Sequence, residues 1–196
     1  VMVAPTPSLR TDEQIATYFE SVASTLGPGV PIVIQDYPLG TGITMATKTL
    51  RSIVDTVPGV VMLKHEDWPG LAKISELRGA EISGGRRIAI LCGNGGLFLP
   101  EEMQRGADGA MTGFAYPEMM VEVCRHSAAG EFERARDVFD AYLPLVRYEQ
   151  QPGVGLAVRK YVLAKRGAIT NAPQRKPASA LSPTALREVE TLLARQ

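Results

Sequence analysis

The chain has 196 residues, 45% of them apolar, and its 21 basic side chains balance 21 acidic ones. That size fits one domain with a sizeable core. A neutral chain offers no electrostatic ground for binding nucleic acid or an anionic membrane, so neither is an expected partner. No apolar run approaches the ~20 residues of a membrane helix. The opening VMVAP has no basic run of the signal-peptide kind. Cys92 and Cys124 are far apart and lack metal-type spacing, which reads as reduced thiols in a cytoplasmic protein. The two histidines, His65 and His126, form no paired ligand motif, so no metal is expected.

Taken in order, short apolar runs alternate with amphipathic ones. VMVA (1–4), VPIVIQ (30–35), VVMLK (60–64), IAILC (88–92) and DGAMT (108–112) read as strands. Such continuous apolar runs suit parallel strands covered on both faces. After the first strand, Thr11 and Gln14 make a capping box for a helix carrying Ile15, Tyr18, Phe19, Val22 and Leu26 on one face, stopped by Gly27. Shorter helices are predicted over 49–54, 71–77 and 100–105. Beyond the fifth strand the pattern is helical. One helix is marked by Met119, Met120 and Val123, a second by Phe132, Val138, Phe139, Tyr142 and Leu143, and a third covers 153–166. A proline- and alanine-rich loop (171–183) leads to a last helix, capped by Ser182 and carrying Leu186, Val189, Leu192 and Leu193. The βα rhythm predicts a parallel α/β fold. With five strands it is either an open doubly wound sheet or part of a (β/α)8 barrel, which needs eight.

In both architectures chemistry sits at the carboxyl ends of the strands. Those ends carry Pro5, then Gln35-Asp36-Tyr37, then Lys64, then Gly93-Asn94, then Met111-Thr112-Gly113. Lysine is rarely buried unpaired. At a crowded strand tip it either pairs with Glu66 or Asp67, or has its pKa depressed. At an ordinary pKa only about one lysine amine in 2,500 is neutral at pH 7, so a depressed value would ready it to condense with a ketone.

Several segments, in order, resemble the dihydrodipicolinate synthase / N-acetylneuraminate lyase family of class I (Schiff-base) aldolases and dehydratases. PIVIQDYP is similar to the segment that usually carries Tyr-Asn-x-Pro, and VVMLKHE to the strand of the Schiff-base lysine. ILCGNGGLFLPEEMQRGADGAMTG is similar to the two following strands, and GEFERARDVFDAYLPLVR to the first C-terminal helix pair. The resemblance implies a (β/α)8 TIM barrel of which this chain carries strands 4–8. Residues 1–128 would be the partial barrel and 129–196 a C-terminal helical extension. No Gly-Thr-Thr, the family's carboxylate-binding motif, occurs in the chain. The resemblance further implies a lyase acting on a 2-oxo acid such as pyruvate through an imine on Lys64, no cofactor, and a homo-oligomer (dimer or tetramer).

Departures from the family pattern shape the site. Gln35 stands where the family has its proton-shuttling tyrosine, Asp36 where it has asparagine, and Tyr37 comes two places later. Positions 35 and 37 share a face of a regular strand, so Tyr37 either reaches the site or packs on its loop. Pro5-Thr6-Pro7 offers none of the relay tyrosines of the synthase branch. The pattern is closer to dehydratases of 2-keto-3-deoxy sugar acids, with Glu66 as an acid or base or as a solvated loop carboxylate. The expected catalytic residues are thus Lys64, Glu66, Gln35 and Tyr37. Pro5, Gly93, Asn94, Met111, Thr112 and Gly113 are expected to line the substrate pocket. Three alternatives remain at this stage: dihydrodipicolinate synthase itself, a barrel binding a phosphorylated ligand at GADGAMTG without covalent chemistry, and a non-catalytic relative.

Overall fold

The computed structural model of the protein describes residues 1–68 and 70–196. The chain divides into two compact units, Val1–Gly93 with Glu101–Met111, and Asn94–Pro100 with Thr112–Gln196.

The first unit is built on five parallel strands lying side by side in chain order: β1 (Met2–Val3), β2 (Ile32–Asp36), β3 (Val60–His65), β4 (Ala89–Cys92) and β5 (Gly109–Ala110). All five fall where the apolar runs predicted them. Between them run α1 (Asp12–Leu26), α2 (Pro38–Thr41), α3 (Thr47–Thr56), α4 (Leu71–Ile82) and α5 (Leu99–Gln104). The capping box forms as expected. Thr11 Oγ1 accepts the Gln14 N–H at 3.2 Å and Gln14 Oε1 accepts the Thr11 N–H at 3.3 Å. Gly27, at φ 79°, ends that helix. The short α2 was not anticipated. Pro38 starts it and Gly42, left-handed at φ 71°, ends it after one turn.

The two faces of the sheet differ. Ile32, Ile34 and Asp36 of β2, Leu63 and His65 of β3, and Ile90 and Cys92 of β4 are buried. On β3, Val60 is buried as well. Val33 and Gln35, Met62 and Lys64, Ala89 and Leu91 point the other way and are half-buried. A one-residue irregularity makes this possible. Ile32 lies opposite Val60 but Val33 lies opposite Met62, so Val61 is an extra residue in β3. Strand side chains alternate, so without it Lys64 would pair with Asp36 and join the buried face. With it, Lys64 stands between Gln35 of β2 and Leu91 of β4.

The second unit is helical: α6 (Pro117–Ala128), α7 (Phe132–Glu149), α8 (Gly155–Lys165) and α9 (Pro183–Leu193), with α7 touching the other three. Ser182 caps α9 by accepting the Ala185 N–H at 3.1 Å, as its sequence predicted.

Candidate active site

Three of the expected residues meet at the carboxyl end of the sheet, on its half-buried face. Lys64 Nζ lies 2.5 Å from Glu66 Oε1, with the two side chains 17% and 7% exposed. Gln35 Nε2 donates to the other oxygen of the same carboxylate, Oε2, at 3.4 Å. Glu66 is seated against Gly93. A β-carbon on that glycine would stand 2.1 Å from Glu66 Cγ, so only glycine leaves room for this carboxylate. An amine, a carboxylate and an amide thus share one shielded spot. The carboxylate can take a proton from the amine, and the amide fixes which way its second oxygen faces.

A second charged cluster lies behind it, on the helix-covered face. Lys73 of α4 is 8% exposed, and its ammonium bridges Asp36 Oδ2 at 2.8 Å and Asp67 Oδ2 at 2.7 Å. Burial pushes the Asp36 carboxyl up to about 6 against the opposing pull of Lys73. Burial, reinforced by the positive charge of Lys73, lowers His65 to about 4, so its ring is neutral at pH 7. Its Nε2 lies 3.1 Å from the Gly70 carbonyl, so the ring proton sits on Nε2 and donates there. Its Nδ1 is left 3.8 Å from Asp36 Oδ2. Partial burial raises Asp67, but the hydrogen bond and charge of Lys73 and the Trp68 N–H outweigh it and hold that carboxyl below its usual range.

This cluster was missed in the sequence, although signals for it exist. Lys73 stands beside Ile74 and one turn before Leu77, within the buried stripe of α4. Asp36 continues the buried alternation of Ile32 and Ile34. A third buried carboxyl, Glu102 of α5, is pushed up to about 7 by burial, with the Cys92 thiol as its hydrogen-bond partner.

The remaining expected residues are placed as follows. Tyr37 lies past the end of β2 at the start of α2, with its ring against the α-carbon of Gly40. Pro5 is buried just after β1, and Met111, whose N–H donates to the Cys92 carbonyl at 2.8 Å, follows β5. Asn94, Thr112 and Gly113 belong to the second unit. Asn94 opens a 3-10 turn, Asn94–Gly96, in which all three residues have positive φ (47°, 65° and 68°). Asparagine and glycine accept that conformation at least cost. Gly113 lies against the Arg159 guanidinium. Arg159 Nε in turn donates to Glu149 Oε1 at 2.5 Å, and Glu149 Oε2 accepts the Ala115 N–H at 3.1 Å.

Over residues 1–196 the chain matches the Dihydrodipicolinate synthetase family. It belongs to that family. Among solved structures it is similar to the dihydrodipicolinate synthase of Rhodopseudomonas palustris, with 57% identity and a TM-score of 0.96, covering 100% of this chain and 65% of that one. Among curated family relatives it is 28% identical over 149 residues to the 4-hydroxy-tetrahydrodipicolinate synthase of Persephonella marina, covering 75% of this chain and 48% of the relative. It is 26% identical over 179 residues to the L-2-keto-3-deoxyarabonate dehydratase of Azospirillum brasilense, covering 91% of this chain and 56% of the relative. The chain spans about half the length of the curated family relatives it matches.

Proposed function

We propose that this chain carries the reacting centre of a class I lyase, an aldolase or dehydratase, acting on a 2-oxo acid through an imine on Lys64. The observation that carries the reading is the Glu66 carboxylate 2.5 Å from the Lys64 ammonium. The similarity to a named L-2-keto-3-deoxyarabonate dehydratase supports a 2-keto-3-deoxy sugar acid as substrate. So does Gln35, which stands where a synthase would have its tyrosine.

In this reading Glu66 takes a proton from Lys64. The freed amine adds to C2 of the oxo acid, and Glu66 returns that proton to the C2 hydroxyl, which leaves as water to give the iminium and restores the carboxylate. The iminium draws electrons from C3, whose proton passes to Glu66, and an enamine results. Expulsion of the C4 hydroxyl, protonated by Glu66 as it departs, releases a second water and leaves a conjugated iminium. Hydrolysis consumes one water, frees Lys64 and delivers the dehydrated oxo acid, so the net change is loss of one water. Gln35 keeps the carboxylate aimed at both positions. No step asks for a metal or an organic cofactor.

The wider architecture follows from the same reading. β1 to β5 serve as strands 4–8 of an eight-stranded barrel within residues 1–128, and 129–196 form the helical extension. Pro5, Gly93 and Met111 of the first unit line the substrate side, and Tyr37 serves as an outer proton carrier. The working protein is a cytoplasmic homo-oligomer, a dimer or tetramer.

Borohydride reduction in the presence of pyruvate, followed by intact-mass and peptide analysis, tests the centre of this reading. A single reduced pyruvyl group on Lys64 is expected. Absence of that adduct from the active protein would refute it. Loss of 2-keto-3-deoxyarabonate in the same preparation tests the substrate class.

A further inference from the structure

The stretch Lys64-His65-Glu66-Asp67 alternates between two faces of the sheet. Lys64 and Glu66 meet on the half-buried face, while His65 and Asp67 turn toward α4. Glu66 lies one residue past the last residue of β3. Its own N–H donates to the Asp36 carbonyl at 2.8 Å, and the His65 carbonyl before it accepts from the Gly93 N–H at 2.8 Å. What holds the chain in extended alternation beyond that point is the residue on either side. His65 is tied to the Gly70 carbonyl, and Asp67 is tied to the Lys73 ammonium and the Trp68 N–H. Lys73 also grips Asp36 at the tip of β2, so one ammonium joins both strand ends from behind. Stability alone does not call for this arrangement. Replacing a buried ion pair by apolar side chains of similar volume is often neutral or stabilising.

We propose that Lys73 is a positioning residue for Glu66: by clamping Asp36 and Asp67 behind the sheet, it holds the carboxylate of Glu66 in front of it, against Lys64. This inference deepens the Schiff-base reading above and rests on it. Lys73 touches neither Lys64 nor substrate in this account. It acts through the backbone of residues 65–67.

The test uses the whole protein as expressed from its gene and three variants. Asp67→Asn loosens one arm of the clamp and leaves the Lys73–Asp36 pair intact. The double variant Lys73→Met with Asp36→Asn removes the ammonium and the fully buried carboxylate together, leaving the Asp67 carboxylate, 18% exposed, with the Trp68 N–H. Lys73→Arg keeps both arms. With proton transfer by Glu66 contributing at least about 100-fold, kcat is expected to fall by about 10-fold in the first two variants, with KM changed by less than about threefold. Lys73→Arg is expected to stay within about threefold of wild type in kcat. Borohydride trapping of pyruvate on Lys64 persists in all three. A folded Asp67→Asn or double variant with wild-type kcat and an unchanged pH profile overturns the proposal. If the double variant does not fold, Asp67→Asn decides alone. Trapping in the wild type separates the two levels. No adduct there refutes the imine reading itself, whereas a wild-type adduct with unaltered variants refutes only the role of Lys73.

Discussion

Glu66 holds one carboxylate oxygen 2.5 Å from the Lys64 ammonium and turns the other toward the Gln35 amide at 3.4 Å. The same carboxylate can therefore serve the amine before the imine forms and the C3 proton afterwards. Glu66→Gln keeps the shape and the contact to Gln35 but removes the base. It is expected to lower kcat by about 100-fold or more while leaving Lys64 trappable by borohydride with pyruvate. Steady-state kinetics beside mass analysis of the reduced protein checks this. Wild-type turnover in Glu66→Gln would remove the carboxylate from the chemistry.

Gly93 makes room for that carboxylate, because a β-carbon there would lie 2.1 Å from Glu66 Cγ. Gly93→Ala is therefore expected to displace Glu66, cutting turnover and destabilising the protein by about 1–3 kcal/mol. The effect should depend on what it strikes. In a Glu66→Ala background the same change should cost little further stability, giving a clear coupling in a double-mutant cycle. Additive losses in thermal denaturation would show that Gly93 matters for another reason.

The fold was largely legible because parallel strands announce themselves as unbroken apolar runs, and all five stand where those runs do. Lys64 stood out for a related reason, as a charge at the end of such a run. Its face was not legible. Counting alternation from the buried Val60 puts Lys64 on the same side as Val60, and only the extra Val61 reverses it. The place of Tyr37 was not legible for a similar reason. Positions 35 and 37 share a face only while the strand lasts, and β2 ends at Asp36. The Lys73 clamp escaped notice because its members come from β2, from β3 and the loop after it, and from α4. A lysine in an amphipathic helix is ordinarily a solvated one.

Asp36 and His65 should make stability respond to pH in opposite directions. Asp36 titrates at about 6 in the fold against 3.8 for the free group. Through that window the folded state binds the extra proton, so this group's contribution falls as pH rises. His65 titrates at about 4 against 6.5, so the unfolded state binds the extra proton and stability rises with pH over nearly the same range. Each effect is on the order of 3 kcal/mol at full extent, and together they largely cancel. His65→Gln keeps a donor for the Gly70 carbonyl and removes the rising component. Its melting temperature relative to wild type should therefore drop on going from pH 4.5 to pH 6.5. A difference that does not change with pH would show that the ring is not held neutral in the fold.

Glu102 gives the cleanest pH test, because its carboxyl is hydrogen-bonded to the Cys92 thiol rather than to a cation. Burial raises its carboxyl from 4.5 to about 7. A raised folded-state pKa means that the protonated acid is favoured in the fold. The stability it confers is present below pH 4.5 and is lost as pH climbs to 7. Above pH 7 the protein carries a buried carboxylate at a cost on the order of 3 kcal/mol. Glu102→Gln presents the Cys92 thiol with an uncharged acceptor of the same shape at every pH. The variant is therefore expected to match wild type near pH 4.5 and to exceed it by several degrees in melting temperature at pH 8. Thermal denaturation at the two pH values decides it. A Gln variant that gains nothing at pH 8 would mean that the carboxylate is paired or solvated there, and that burial does not govern its titration.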